Sequence, residues 1–81
     1  MFYTYILKSK KNGSYYIGSC KNMNERIRLH NAGLVKATKR YIPWEVVHIE
    51  EYKTLSEARK RKSKIKSWKK RSAIEKLLKI L

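Results

Sequence analysis

The chain has 81 residues, of which 42% are apolar, and this length predicts one small domain over residues 1–81. Lysine and arginine number 21 against six glutamates and no aspartate, so the formal net charge is +15. No apolar run approaches the ~20 residues of a membrane span, and no signal-peptide pattern opens the chain, so we expect a cytoplasmic protein with no membrane partner. The single cysteine, Cys20, cannot form an internal disulfide, which suits a reducing compartment.

Two β-rich segments open the chain and predict an antiparallel hairpin. Residues 3–9 and 14–20 are rich in Tyr, Ile and Thr, and the Asn12-Gly13 pair between them is a strong signal for a hairpin turn. The hairpin would place Tyr5 and Tyr16 on neighbouring strands. A phenol with a pKa of about 10 is a poor acid or base alone, but it becomes a useful acid or base beside cations or a metal.

A helix and a polar connection follow the hairpin. Asn22 fits an N-cap, Glu25 comes three residues later, and Gly33 is typical of a helix end, which predicts a helix over residues 23–32. Residues 34–43 are polar and basic and end in proline, so we expect a surface connection.

A third strand and two further helices complete the prediction. Trp44–Tyr52 is rich in β-formers and predicts a strand in the same sheet, and a capping box at Thr54 begins a helix over Leu55–Ser67. A second capping box at Ser72 begins the last helix, whose apolar face would be formed by Ile74, Leu77, Leu78 and Leu81. The expected fold is α+β: a small three-stranded antiparallel sheet flanked by three helices, in the order strand, strand, helix, strand, helix, helix.

The excess of cations favours a polyanionic partner, and nucleic acid is the first expectation. Residues 59–71 carry nine cations in thirteen positions. Two other interpretations of this run stay open: a solvated helix face that keeps the protein in solution, and a helix that binds an anionic membrane surface. The polar connection carries Lys36, Thr38, Lys39 and Arg40, which can either grip phosphates or simply face solvent.

Four residues together suggest a phosphodiester site. Hydrolysis of a phosphodiester needs an attacking water, a group that accepts its proton, and positive charge for the developing phosphorane. Tyr5 and Tyr16 can transfer protons or orient the water, and Arg26 can clamp phosphate oxygens in its planar fork. His30 follows Arg26 by four residues, on the same flank of the predicted helix. Each residue also has an ordinary structural explanation, as a strand tyrosine, an exposed helix cation or a helix-end histidine.

The ordered set resembles the GIY-YIG nuclease superfamily, in particular its small stand-alone members, which resemble the N-terminal module of bacterial excision-repair incision nucleases. Tyr3-Thr4-Tyr5 stands where the family writes Gly-Ile-Tyr, and Tyr16-Ile17-Gly18 reproduces the second motif letter for letter. Arg26 and His30 match the family's helix-borne Arg and His, and the segment from 65 to 69 is similar to the pattern of the small members.

The resemblance implies metal-dependent cleavage of DNA, with one divalent ion, Mg²⁺ or Mn²⁺, held by a glutamate on the second helix. This chain departs from the family there, because Lys62 occupies the position of that glutamate. Mg²⁺ prefers hard anionic oxygen, and an ammonium repels it, so the expected metal site is broken. A cleft lysine could instead hold the phosphate that the ion would neutralise. The metal ligands stay unknown, and the candidates for a substitute are Glu45, Glu50, Glu51 and Glu57, or a ligand that the DNA itself supplies.

Three functional interpretations therefore remain open: a divalent-metal nuclease acting on DNA, a weak or inactive nucleic-acid-binding domain on the same fold that needs no cofactor, and a membrane-surface or protein-interaction module. The residues expected to contact nucleic acid outside the four catalytic candidates are Lys36, Lys39, Arg40, Arg61, Lys62 and Lys66. The sequence does not predict the oligomeric state.

Overall fold

The computed structural model describes residues 1–79 and confirms the predicted α+β class and the order of elements. The elements are β1 (Phe2–Ser9), β2 (Tyr15–Cys20), α1 (Met23–Asn31), β3 (Trp44–Tyr52), α2 (Leu55–Ser67) and α3 (Arg71–Lys79). The sheet has the order β2-β1-β3, and both outer strands run antiparallel to the central β1. No helix within residues 1–79 is both long and apolar enough to cross a bilayer.

The side chains of β1 alternate between two hydrophobic clusters, one on each face of the sheet. On one face, Tyr5 and Leu7 pack with Trp44 and with residues of α1. On the other face, Ile6 packs with Ile65 of α2 and with the apolar residues of α3. The sheet is therefore a middle layer, with α1 on one side and α2 and α3 on the other.

The turn between β1 and β2 is longer than the two-residue hairpin that Asn12-Gly13 suggests. The side chain of Ser9 accepts hydrogen bonds from the backbone of Lys11 and Asn12, and Asn12 Oδ1 accepts one from the Ser14 backbone at 3.0 Å. Gly13 has φ +76°, which a glycine adopts without a steric penalty. Because Ser14 takes part in this turn, β2 begins at Tyr15 and not at residue 14 as predicted.

The predicted caps of α1 are confirmed. Asn22 Oδ1 accepts the backbone N–H of Glu25 at 3.0 Å, which satisfies one of the free donors of the first turn. At the other end, the backbone N–H of Gly33 (φ +77°) bonds to His30 O, and that of Leu34 bonds to Leu29 O. This pair of bonds is a Schellman motif, and it ends α1 at residue 31, one residue earlier than predicted.

The prediction for the start of α3 is wrong. The helix begins at Arg71, so Ser72 lies inside its first turn and is not the N-cap. The Arg71 guanidinium donates to Gly13 O at 2.7 Å and lies over the ring of Tyr15, which fixes the chain direction one residue before the predicted cap. Leu81, predicted for the apolar face of this helix, lies outside the described residues.

The connection between α1 and β3 is more ordered than its polar sequence suggests. It contains a short 3-10 turn at Lys39–Tyr41, and Thr38 just before this turn is fully buried. Trp44 Nε1 donates to Thr38 O at 2.8 Å, and the Asn31 side chain bonds both the N–H and the C=O of Trp44. These bonds fold the connection back against the end of α1.

Candidate functional site

Tyr5 lies at the centre of the sheet, directly over a glycine of the neighbouring strand. Tyr5 pairs with Gly18 in the β1–β2 register and is only 2% exposed. A Cβ atom at Gly18 would lie 2.4 Å from both Cζ and the hydroxyl oxygen of Tyr5. Such a distance is a clash, so the glycine of Tyr16-Ile17-Gly18 is required by the position of the phenol and not by its own backbone conformation.

The hydroxyl of Tyr5 belongs to a buried chain of hydrogen bonds. It lies 3.0 Å from His30 Nε2, and His30 Nδ1 lies 2.7 Å from Thr38 Oγ1. All three side chains are at most 2% exposed. One strand, one helix and the connection between α1 and β3 therefore each contribute a member of this buried relay, which we define as Tyr5, His30 and Thr38.

The direction of donation in the relay follows from its far end. The Thr38 hydroxyl can donate to Val35 O at 3.4 Å, and its oxygen is then free to accept from His30 Nδ1–H. A neutral imidazole that donates through Nδ1 accepts through Nε2. In this arrangement Tyr5 donates its hydroxyl proton to His30, and the imidazole is the proton acceptor for the phenol.

Electrostatics keep both ring groups uncharged near neutral pH. Burial, followed by the neighbouring Tyr16, raises the pKa of Tyr5, and the positive charge of Arg26 opposes this shift only in part. Burial lowers the pKa of His30, and Arg26 lowers it further. A neutral imidazole facing a neutral phenol is the pairing that a proton transfer needs before it begins.

Tyr16 and Arg26 form the accessible side of the site, since both are partly exposed. The Tyr16 ring lies 6.5 Å from the ring of Tyr5, 5.2 Å from the ring of His30 and 6.4 Å from that of Trp44. Arg26 is close enough for its charge to act on Tyr5 and His30. The structure thus brings the four candidates of the sequence together, with Tyr16 and Arg26 toward solvent and the relay behind them.

The cations predicted to contact nucleic acid lie in three different settings. Lys36, Lys39 and Arg40 are exposed on the connection that also supplies Thr38. Lys66 of α2 reaches the sheet edge, where its Nζ lies 5.8 Å from the centre of the Tyr16 ring. Lys62 is partly exposed on the same helix.

Arg61 differs from the other predicted cations because its guanidinium already has protein partners. Its Nε and Nη2 donate to the carboxylate of Glu50 at 2.8 and 3.1 Å, and its guanidinium carbon lies 5.6 Å from the centre of the Trp68 ring. Burial alone would raise the pKa of Glu50, but hydrogen bonds from Arg61, His48 and Tyr52 outweigh it and hold the pKa at about 2. Glu50 is therefore fully ionised and fully engaged.

The glutamates do not provide a divalent-metal site near the relay. Within residues 1–79, no three His, Cys, Asp or Glu side chains lie together in a way that could hold an ion. Of the proposed substitutes, Glu50 is engaged by Arg61, Glu57 caps α2 with Thr54, Glu45 lies 4.0 Å from Lys10, and Glu51 is exposed. The donor set of this site therefore does not fit the hard cation that the resemblance implies.

Two functional residues have roles that the sequence did not predict. Thr38 lies in a polar segment that was expected to be a surface connection, and no local pattern indicates that it would be buried against His30. Trp44 begins β3, but its ring also packs on Tyr16 and its indole N–H holds the Thr38 carbonyl. The sequence offered only a threonine within the basic connection and a tryptophan directly after it, and such residues are common in proteins of every function.

Comparisons with known proteins identify the family of this chain. The family model described as the GIY-YIG catalytic domain matches residues 1–77. The chain is 42% identical over 67 residues to the UPF0213 protein of Staphylococcus aureus strain Mu3. The aligned region covers 82% of this chain and 80% of that relative. The UPF0213 protein SAV0488 of strain Mu50 matches with the same identity and coverage. No solved structure matches the chain.

The family match spans both tyrosine motifs, the helix that carries Arg26 and His30, and the basic helix α2. The relatives share more than two fifths of their aligned residues with this chain over most of both lengths. The chain therefore belongs to the GIY-YIG catalytic domain family.

Proposed function

We propose that this protein binds nucleic acid, with DNA as its expected partner, and holds a backbone phosphodiester against Tyr16 and Arg26. The observation that carries this proposal is the convergence of two phenols, an imidazole and a guanidinium on one face of the sheet. Arg26 offers several N–H donors in a planar fork that matches phosphate oxygens, and Tyr16 can add a hydroxyl hydrogen bond.

Charge supports a polyanionic ligand over a neutral one. The net charge is +15, and the exposed cations Lys36, Lys39 and Arg40 lie on the segment that packs against the relay. Phosphate contacts of this kind release condensed counterions and are largely independent of base sequence. The ligand is therefore recognised through its backbone.

The site favours binding over hydrolysis because of what stands at the family's metal position. Lys62 is a cation where the family has a carboxylate, and no carboxylate cluster replaces it within residues 1–79. A lysine can neutralise a phosphate as a point charge, but it cannot lower the pKa of a water molecule as a divalent ion does. Binding is thus retained while water activation is weakened.

A second candidate function is slow phosphodiester hydrolysis, and the relay favours it. The Tyr5 phenol lies 3.0 Å from a buried neutral imidazole, which is the acceptor that proton transfer from a phenol needs. In this interpretation Tyr16 and Arg26 hold the phosphate, and Tyr5 passes its proton to His30 Nε2 as its oxygen takes one up from the attacking water. The water oxygen bonds to phosphorus, the bond from phosphorus to one sugar oxygen breaks, and that oxygen leaves and takes a proton from solvent. Any divalent ion would supply the activated water and would need ligands from the substrate.

Cleavage assays separate the two functions. Purified protein is incubated with labelled single-stranded, duplex and branched DNA in Mg²⁺, Mn²⁺ or EDTA. We expect the natural chain to bind DNA without forming cleavage products. Lys62→Glu should form metal-dependent products, because a carboxylate at position 62 restores a hard oxygen ligand for the ion. Lys62→Gln is the matched control, since it removes the cation without adding an anion. Products from the natural chain that disappear in Tyr5→Phe would establish the second function instead.

The binding proposal has its own test in the salt dependence of affinity. Neutralising four to six phosphates predicts a slope of roughly −4 to −5 in log affinity against log salt. Arg26→Ala should weaken that slope by about 1. Arg28→Ala is the control on the same helix, because Arg28 is exposed and paired with Glu25. A slope near zero for the natural chain, or equal effects of the two substitutions, would contradict the proposed site.

A further inference from the structure

A second cationic feature lies away from the relay, where α2 meets α3. A depression of about 360 Å³ is present there, between the end of α2, the start of α3 and the beginning of β2. We call it the elbow pocket, and its lining residues include Tyr15, Lys66, Lys69, Lys70 and Arg71. The sequence singled out this basic run, but of these four cations only Lys66 was expected to contact nucleic acid.

The charges of the elbow pocket are almost unopposed. Among the described residues that line it there is no aspartate or glutamate. The nearest acid is Glu75, whose carboxylate lies 3.8 Å from Arg71 Nε in a half-exposed pair. Four cations around one depression repel one another, and an anion in the depression would remove that repulsion.

The pocket is preorganised by Arg71. Its Nη1 donates to Gly13 O at 2.7 Å, and its guanidinium carbon lies 4.6 Å from the centre of the Tyr15 ring. Lys8 also approaches that ring, with its Nζ 5.8 Å from the centre. These contacts join the hairpin turn to the start of α3, so that the two walls of the depression are held together before a ligand arrives.

Lys69 adopts a backbone conformation that is unfavourable for a lysine. Its φ is +57°, the left-handed region that glycine enters without cost and other residues rarely adopt. A residue with a side chain at such a position needs a compensating reason. Lys69 directly follows Trp68, the C-cap of α2, where a left-handed residue turns the chain out of the helix, and this turn places Lys69 in the lining of the elbow pocket.

Lys66 connects the elbow pocket to the first site. Its side chain lines the depression, and its Nζ also lies 5.8 Å from the centre of the Tyr16 ring. Tyr15 and Tyr16 are adjacent in β2 and face opposite sides of the sheet. A nucleic-acid strand that leaves Tyr16 and crosses the edge of β2 therefore passes Lys66 and reaches Lys69 and Lys70.

We propose that the elbow pocket binds a second backbone phosphate of the same nucleic-acid strand whose phosphodiester lies at Tyr16 and Arg26. This inference rests on the proposed function and adds the path of the strand, from the α1 face of the sheet over the edge of β2 to the α2–α3 junction. The ligand class is a phosphodiester backbone recognised by charge, without base preference.

The test compares two double substitutions that remove the same charge. Lys69→Ala with Lys70→Ala alters the elbow pocket, while Arg59→Ala with Lys60→Ala alters exposed cations nearer the start of α2 that do not line it. Affinity for a labelled oligonucleotide is measured over a salt series. We expect the pocket variant to lose roughly tenfold in affinity at about 0.1 M salt and to weaken the salt slope by about 1.5. The control should lose at most about twofold and keep the slope.

A single substitution separates a binding role from a structural one. Lys69→Gly removes the ammonium and relieves the backbone at φ +57°. We expect its thermal midpoint to be equal to that of the natural chain or higher, while its affinity for the oligonucleotide falls about threefold to fivefold. Unchanged affinity, whether the thermal midpoint rises or falls, would show that Lys69 only shapes the junction, and would overturn the proposal.

The outcomes also distinguish the failure of this inference from the failure of the proposed function. If the natural chain does not bind the oligonucleotide, the proposed function is wrong and this inference falls with it. If the natural chain binds and the two double variants weaken equally, only the elbow pocket is wrong. Anionic vesicles provide a further arm, because loss of vesicle binding in the pocket variant with unchanged oligonucleotide affinity would assign the pocket to lipid headgroups and contradict the proposal.

Discussion

Thr38 shows how a buried side chain can set the chemistry of an exposed site. It is fully buried and touches no ligand surface, yet its hydroxyl oxygen faces His30 Nδ1 at 2.7 Å. When the Thr38 hydroxyl donates to Val35 O, its oxygen accepts the Nδ1–H of His30, and Nε2 then accepts from Tyr5. Thr38 is thus a positioning residue, and the property it controls is the direction of one proton.

Replacing Thr38 tests this role. In Thr38→Val the Nδ1–H of His30 loses its acceptor, so we expect a mixture of tautomers in the ¹⁵N spectrum of the imidazole and a loss of about 1–3 kcal/mol in the free energy of unfolding. Thr38→Ser keeps the hydroxyl and should keep the single tautomer. Identical imidazole spectra for the natural chain and the valine variant would contradict the relay.

At the residue scale, the sequence predicted side chains on regular strands and helices better than a side chain on an irregular segment. Tyr5, Tyr16, Arg26 and His30 were predicted together, because strand alternation and helix periodicity determine which side chains share a face. Thr38 could not be predicted, since its position depends on how an irregular segment folds back onto α1. Long-range contacts of that kind leave no periodic signal in the chain.

At the scale of elements, the predicted bounds are correct where the local sequence signal is strong. The start of α3 differs from its prediction because a tertiary contact competes with the local signal. The bounds of β3 and α2 agree with prediction, because each has a clear apolar pattern and α2 has a capping box at Thr54 whose hydroxyl accepts the Glu57 N–H at 3.1 Å. The predicted cap at Ser72 failed for a tertiary reason, the anchoring of Arg71 to the hairpin turn. Arg71 contacts a residue 58 positions earlier in the chain, and the local capping pattern at Ser72 contains no sign of that contact.

The pair of Arg61 and Glu50 anchors α2 to β3, and its removal should loosen that contact. The Glu50 side chain is only 18% exposed and would be left without its bidentate partner in Arg61→Ala. We expect a loss of about 2–3 kcal/mol in the free energy of unfolding, measured by urea denaturation. Arg59→Ala, on the exposed side of the same helix, should change it by less than about 0.5 kcal/mol. Equal effects of the two would show that the anchor contributes little.

At the scale of the whole molecule, a chain with a net charge of +15 stays folded with few acids, and one of them has a special role. The pKa of Glu50 is lowered from its ordinary value of 4.5 to about 2. A carboxyl with a lowered pKa contributes stability that is complete above its unfolded pKa and is lost as the pH falls toward the folded one. The relevant window is therefore about pH 5 to pH 2.

Acid titration of stability checks this assignment. Between pH 5 and pH 2 we expect the natural chain to lose on the order of 3 kcal/mol through Glu50, measured as the free energy of unfolding in urea. Glu50→Gln should be less stable at pH 7 and should show a clearly flatter profile across the same window. A profile that is equally steep in this variant would mean that other carboxyls, such as Glu25 beside Arg28, account for the acid loss.

The relay draws its three members from β1, α1 and the connection after α1, and none from α2. The relay and position 62 of α2, where the family resemblance implies a metal ligand, therefore lie on different elements. Provided that the inward residues Ala58 and Ile65 and the anchor Arg61 are kept, the exposed positions of α2 can be exchanged while the hydrogen bonds of the relay stay as they are. A second helix of different surface sequence can consequently be placed on this sheet while Tyr5, His30 and Thr38 keep their contacts.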